Sequence, residues 1–283
     1  ETGFEIERST TGIAGTYTLL ATVGANITTY VDATGSPMSE YCYRVRAING
    51  AGASGYAGPT CATTLAEPAY ALCLTPNTYV TFGAAPSLAS QNFTVETWFK
   101  RTATGTPNTT GSGGISIIPI LTKGAPEGDG SNVDANYILG INSATNKIAA
   151  DFEEGTGSTS PGLNHPVSGT TTIVNDVWYH AAATFSGGVF SLYLNGVLEG
   201  SLTLGTAIWP QGASIQHNGL GTMLTSAGAP LGYFAGCIDE ARIWNYARTV
   251  SEIQTTANSQ ITTAQSGLIA RWGLNETSGT IVH

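Results

Sequence analysis

The sequence predicts an all-β, antiparallel protein. Apolar residues recur at every second position in several short runs, the period of a strand with one buried face. These runs are punctuated by turn chemistry: glycine supplies 36 of the 283 residues, and Asn195-Gly196 ends one run. That dipeptide tolerates the positive φ that a type I′ hairpin turn requires. Helix signals are scarce. Thr249-Val250-Ser251-Glu252 forms a capping box, with Thr249 as N-cap and Glu252 at N3, and a helix of about two turns is expected there and nowhere else.

Composition bounds the function. Charged residues make up only 10% of the chain, but hydrophobic residues reach 41%, so low charge accompanies a core rather than disorder. The length suits one large or two moderate domains. A net charge of −9 with no basic stripe argues against a nucleic-acid partner. No apolar run approaches the roughly 18 residues of a membrane span, so no membrane insertion is expected.

In chain order, Phe4 to Arg8 alternates, and Tyr17 to Val23 follows a glycine turn. In Tyr41 to Ala47, Tyr41, Tyr43, Val45 and Ala47 share one face, and Cys42, Arg44 and Arg46 the other. Leu65-Ala66-Glu67-Pro68 reads as a linker, because proline breaks strand pairing. YALCL from Tyr70 and YVTFG from Tyr79 are short strands, and Phe93 to Arg101 alternates Phe93, Val95, Thr97 and Phe99 against Thr94, Glu96, Trp98 and Lys100. Strands follow at Ile115–Lys123, Tyr137–Ile141 and Lys147–Phe152, separated by Gly/Thr/Asn-rich and Gly/Ser/Pro-rich loops over 102–114 and 153–169. Trp178 to Leu202 reads as three strands, turning at Ser186-Gly187-Gly188 and again at Asn195-Gly196. The stretch 203–232 is loop-rich, and a further run covers Phe234 to Asn245.

Several of these runs carry a resemblance. SEYCYRVRAINGAGASGYAGPTCATT (residues 39–64) resembles the last two strands of a fibronectin type III domain, with Tyr41 as the corner tyrosine and the first strands missing. FTVETWFKR, the WYHAA-turn-LYLNG centre and GCIDEARIWN resemble laminin-G-like, concanavalin A-like jelly rolls, and GLIARWGLNETSGT resembles the lead-in to a following module of that type. The resemblance implies a partial fibronectin type III domain over 1–65, a smaller and incomplete immunoglobulin-like sandwich. It implies a jelly-roll β-sandwich over 66–265 and a lead-in over 266–283. It also implies that the chain is cut from a larger extracellular, multidomain protein. The four cysteines suit two disulfides: Cys42 and Cys61 lie on successive strands, and the laminin-G-like fold brings Cys73 beside Cys237. Bridging Cys42 to Cys61 would restrict the unfolded chain by roughly 3 kcal/mol. Disulfides and the sequons at Asn26, Asn92, Asn108 and Asn275 suit a secreted or cell-surface glycoprotein.

Catalysis is not expected. Glucanases on this sandwich use E-x-D-x-x-E on one strand to set acid and nucleophile at working distance, and the D-F-E-E at Asp151–Glu154 is not that spacing. Glu96 is expected as a structural hydrogen-bond partner, His180 as a packed histidine, and Glu240 with Arg242 as an ion pair, worth little if exposed. Calcium is the expected cofactor, because it takes six to eight hard oxygen ligands. The segment EGDGSNVDANY offers Glu127, Asp129, Asn132, Asp134 and Asn136, and Asp151 with Glu153 forms a second cluster. Asp129, Asp134, Asn136, Asp151 and Glu153 are the metal candidates. Sugar rings stack on aromatics, so Trp209, with Gln216 and Asn218 nearby, and the Asn164-His165 loop are the ligand candidates. The function expected is a non-catalytic binding or adhesion module for a glycan or surface protein, calcium-assisted. The alternatives are a filament or sheath subunit that self-assembles by strand complementation, and accessory domains of a secreted hydrolase.

Overall fold

The computed structural model describes residues 1–30, 32, 34–35, 39–64, 70–127, 133–257 and 259–276. The chain divides into two compact units, Glu1–Ala69 and Tyr70–His283. The expected linker at 65–68 lies outside the described residues, as does Asp129.

The first unit is one five-stranded antiparallel sheet: β1 (Gly3–Ser9), β2 (Thr18–Gly24), β3 (Glu40–Asn49), β4 (Gly52–Ala53) and β5 (Ala57–Thr63). The sandwich expected for this unit would need a second sheet facing this one, and none exists among the described residues. Alternation divides the two faces. Phe4 opposes Ala47 and Ile6 opposes Val45, whereas Glu5 opposes Arg46 and Glu7 opposes Arg44. The charged pairs close at 2.7 and 2.6 Å. The Arg44 guanidinium lies 4.4 Å from the Tyr17 ring centroid and 3.9 Å from that of Tyr56. Cys42 and Cys61 are directly opposed on β3 and β5 and form a disulfide.

The second unit is a sandwich. Its strands are β6 (Leu72–Leu74), β7 (Val80–Thr81), β8 (Phe93–Arg101), β9 (Asn108–Thr109), β10 (Ser116–Lys123), β11 (Tyr137–Asn142), β12 (Lys147–Asp151), β13 (Val167–Thr172), β14 (Trp178–Ser186), β15 (Val189–Leu194), β16 (Val197–Thr203), β17 (Asn218–Leu220), β18 (Met223–Leu224), β19 (Pro230–Leu231), β20 (Gly236–Trp244) and β21 (Leu268–Trp272). One sheet runs β16-β15-β14-β8-β20-β21, with β6 also on β20; the other runs β13-β12-β11-β10-β17-β7, with β9 on β10. Between them lies the core, with Phe93, Val95, Phe185 and Phe190 from the first sheet against Ile120, Leu139, Ile148 and Ala150 from the second.

Local chemistry explains the elements. Asn195 and Gly196 hold φ of 51° and 73°, the type I′ signature, at the β15–β16 turn. On β20 the pairing with β8 shifts register between Asp239 and Arg242, and Glu240 sits at φ 47°. This bulge lets Ile238, Ala241 and Ile243 all face the core although their spacing is not strictly two. The capping box forms as expected: the Thr249 hydroxyl and Glu252 bond across α1 (Val250–Ala257). At the other helix end, Arg242 donates to the Thr256 carbonyl and Trp98 Nε1 to that of Ala257, so α1 is pinned to the outer face of the first sheet.

Glu240 and Arg242 form the expected ion pair, at 2.9 Å, and it is buried, with Arg271 on the same carboxylate. The run expected to lead into another module is, over Leu268–Trp272, an edge strand paired to β20. The loop-rich stretch 203–232 contains β17 and the β18–β19 hairpin. That hairpin helps cover the outer face of the second sheet, where Met223 and Leu231 pack with Ile117, Ile138 and Ala149.

Candidate functional site

Chemistry-bearing side chains gather where β12 runs out. Past Asp151 the chain continues through two isolated bridges, Glu153 with Asn164 and Glu154 with Pro210. The first closes a strap over 155–163. The second ties it to a strap over 205–216, helped by bonds from Gly155 N to the Trp209 carbonyl and from Gln211 N to that of Glu153. Glycine is required at 155, because a Cβ there would lie 2.9 Å from the Pro210 carbonyl oxygen. A third strap, 110–114, is held by the Asn164 amide donating to the Ser112 carbonyl at 2.9 Å.

Trp209 is half-buried and packs on the core from this rim. Gly157, at φ 84°, faces it: a Cβ there would sit 3.7 Å from Trp209 Cζ2 and within 4 Å of no other side chain or backbone beyond its chain neighbours. Residue 157 therefore sets no side chain against this edge of the indole. Around it the Ser158 hydroxyl donates to Glu154 Oε2 at 2.7 Å, and the Ser158 and Thr159 hydroxyls reach the Ala207 carbonyl at 3.2 and 3.4 Å. His165 Nε2 meets Glu154 Oε1 at 2.7 Å. Burial pushes the Glu154 carboxyl up, but the Ser160 amide, the Ser158 hydroxyl and His165 outweigh it, leaving it below the usual range.

The acids lie just beneath. Glu153 Oε2 accepts the amides of Asp134, at 2.6 Å, and Ala135. Its Oε1 has no partner, nor has either polar atom of the Asn164 side chain. Both residues are sealed, at 0% and 3% exposure. Burial first, then the neighbouring Asp134 and Glu127, push Glu153 up to about 7 against the two amide bonds. Asp151 accepts the Thr110 hydroxyl at 2.5 Å and the Phe152 amide at 2.8 Å, and burial pushes it up to about 8. Above them, Gly111 at φ 97° leaves a hollow. A Cβ there would lie 2.7 Å from Asn164 Oδ1 and 3.2 Å from Glu127 Oε1.

Several candidates are committed elsewhere. Asn136 spends its carboxamide on Ser90, accepting its amide and donating to its carbonyl, both at 2.9 Å. Gln216 Oε1 accepts the Ala125 amide, and Asn218 donates to the Thr122 carbonyl and the Tyr137 hydroxyl. All three are fully buried, so Gln216 and Asn218 brace the straps from inside instead of facing a ligand. Among the described residues, the one trio of His, Cys, Asp or Glu ligand atoms within 4.8 Å is Glu40 with Cys42 and Cys61, whose sulfurs form a disulfide. Sequence reasoning missed the Glu154–His165 pair and the approach of Gly157 to Trp209. The first spans 11 residues within one loop and the second joins two separate straps, and no local period reports either.

Residues 74–254 match the profile of the Laminin_G_3 family, described as the concanavalin A-like lectin/glucanases superfamily. The chain belongs to that superfamily. Among solved structures, this lectin/glucanase-superfamily chain is similar to the CBM40 of the Ruminococcus gnavus IT-sialidase bound to α2,3-sialyllactose. The identity is 16%, over 66% of this chain and 95% of that one, with a TM-score of 0.47. It is also similar to the native heptameric SAP-like pentraxin of Limulus polyphemus (16% identity, 75% and 90% covered, TM-score 0.47). A third is domain 4 of AbnA, a GH43 extracellular arabinanase of Geobacillus stearothermophilus, in complex with arabinotriose (18%, 77% and 81%, TM-score 0.42). No curated protein sequence matches the chain. Within the superfamily, glucanase chemistry needs carboxylates that meet the sugar. Asp151 and Glu153 share a strand direction here, but both are sealed and hydrogen-bonded inward.

Proposed function

We propose that this chain is a non-catalytic carbohydrate-binding module of a secreted or cell-surface protein, with its ligand rim on the 155–165 and 207–211 straps. The observation that carries this reading is Trp209: a half-buried indole packed on the core, against whose outer edge residue 157, a glycine, sets no side chain. Its surroundings supply hydroxyls and an amide (Ser158, Thr159, Gln211), the mixture that hydrogen-bonds sugar hydroxyls while the ring carries the apolar face. The outer face of the second sheet is covered in part by the β18–β19 hairpin, whose Met223 and Leu231 pack on it. Two disulfides support an oxidising, extracellular setting. Calcium assists in this reading, because oxygen donors crowd directly under the rim. The first unit is taken as an incomplete fibronectin type III domain. Retention on gels cast with a panel of polysaccharides tests the proposal. Trp209→Ala should lose at least tenfold in affinity for any polysaccharide that retards the wild type, with its circular dichroism unchanged. Equal retention of the variant would remove Trp209 from the site.

A second reading, self-assembly through strand complementation, is favoured by one feature. In the first unit Phe4, Ile6, Val23, Tyr43 and Val45 line an apolar groove of about 730 Å³. Light scattering across concentration distinguishes a monomer from a polymer.

A further inference from the structure

Positive charge is kept away from the Trp209 rim. Of the ten lysines and arginines, Arg8, Arg44 and Arg46 belong to the first unit, where each pairs with a carboxylate of that unit. In the second unit, Arg242 and Arg271 close on Glu240, and Arg248 on Glu96, on the α1 side of the first sheet. Arg101 donates to Asn146, Asn175 and the Ile173 carbonyl near the start of β12, and Lys100 lies over the Trp178 ring. Lys147 opens β12, whereas the rim lies past the other end of that strand. Lys123 does end β10 on the rim side, opposite Tyr137. It is sealed, however, and its ammonium donates to the carbonyls of Ala84, Ser214 and Gln216.

The charges that the rim does carry are acidic. Burial raises the Glu154 carboxyl, but the Ser160 amide, the Ser158 hydroxyl and His165 outweigh it, so the group is ionised at neutral pH. His165 sits 2.7 Å from that carboxylate, so even when protonated it offers no net positive charge. Glu127 is exposed and takes the Ser112 amide of the neighbouring strap at 3.3 Å. What remains beside Trp209 is neutral: the Ser158 and Thr159 hydroxyls and the Gln211 amide, none of them buried.

From this distribution of charge we infer that the rim takes a neutral glycan, built of uncharged hexose or pentose units, and rejects sugars that bear a carboxylate or a sulfate. The inference rests on the carbohydrate reading of Trp209 and names its ligand class. An anionic sugar loses hydration as it docks, and an arginine or lysine normally compensates by pairing with it. Here the anion would meet Glu154 and Glu127 instead, and like charges brought together at an interface are strongly unfavourable. Sugar hydroxyls, by contrast, exchange water for the hydroxyls and amide of the rim at little net cost.

The test is retardation of the full chain on gels cast with mannan, galactan, xylan or a β-glucan, each beside its own carboxymethylated or sulfated form. The gels are run in EDTA and again in calcium chloride. At least one neutral polymer should retard the wild type, and its anionic form should bind roughly tenfold or more weakly in both buffers. Sodium chloride at about 0.5 M should leave neutral binding in place and shrink the difference, because salt screens charge repulsion. Thr159 is exposed, and its hydroxyl makes one long bond of 3.4 Å. Thr159→Lys should therefore raise binding of the anionic form relative to the neutral one. The inference is overturned if an anionic form binds as tightly as its neutral parent in either buffer, or if Thr159→Lys leaves their ratio unchanged. Preferred binding of an anionic form that Trp209→Ala abolishes would remove the neutral ligand and leave the carbohydrate reading standing. Silence of every polymer, neutral and anionic, would remove both.

Discussion

His180 is held beneath α1 at 1% exposure with neither ring nitrogen bonded. Burial drives its pKa down to about 4, and Arg242 and Arg248 push the same way. Glu96, 3.6 Å from Nε2, opposes them and loses because Arg248 and Trp244 already occupy its other oxygen. Below pH 6.5 the unfolded chain takes up a proton that the folded chain refuses until about pH 4. The His180 contribution to stability therefore falls as pH drops through that window, by an amount on the order of 3 kcal/mol, while the raised carboxyls of Asp151 and Glu153 act in the opposite sense. The unfolding midpoint of the wild type should accordingly fall relative to that of His180→Asn between pH 7 and 4; a difference that stays constant with pH would contradict it. The apolar setting of His180 was legible in WYHAA. The arginines around it were not, because Arg242 and Arg248 reach it only through the β20 bulge and the turn into α1. Lys123 makes the same point. It looks like an ordinary strand-end cation in sequence, yet its ammonium is buried and donates to the carbonyls of Ala84 at 2.8 Å, Ser214 at 3.0 Å and Gln216.

At the scale of elements, α1 is a short helix that tertiary contacts complete. Eight residues are too few to be stable alone, so the caps and the Arg242 and Trp98 bonds matter. Thr249→Ala should lower stability by about 1 kcal/mol, read from denaturant midpoints; no change would mean that packing of Ile253 alone holds the helix. The sandwich edge is closed differently. Glu199 on β16 accepts the amides of Thr170 and Thr171, at 2.6 and 2.8 Å, together with both hydroxyls, and so ties β16 to β13 of the facing sheet. The long strands β8, β14, β15 and β20 and the capping box were readable because alternation and cap chemistry repeat within a few residues. The strands β17, β18 and β19 were not, since pairings of two or three residues carry no period. Leu268–Trp272 was legible as a strand but not as a partner of β20, because sequence does not say which edge a strand joins.

Across the whole molecule, the second unit is bound by Cys73–Cys237, 164 residues apart, which opposes β6 to β20. A loop of that length restricts the unfolded chain by about 5 kcal/mol on the chain-entropy model, a large share of the stability of an ordinary domain. The sandwich brings Asp134, Asp151, Glu153, Asn164, His165 and Trp209, which the sequence offered as separate candidates, to one end of its second sheet. Which of them face outward was not legible, because loop residues follow no period. The central claim is that this end of the sandwich binds carbohydrate. The most direct measurement is a glycan-array screen of the full chain, run in calcium chloride and repeated in EDTA. The account predicts binding to a defined set of glycans in calcium and its weakening by the chelator. An array silent under both conditions would contradict it.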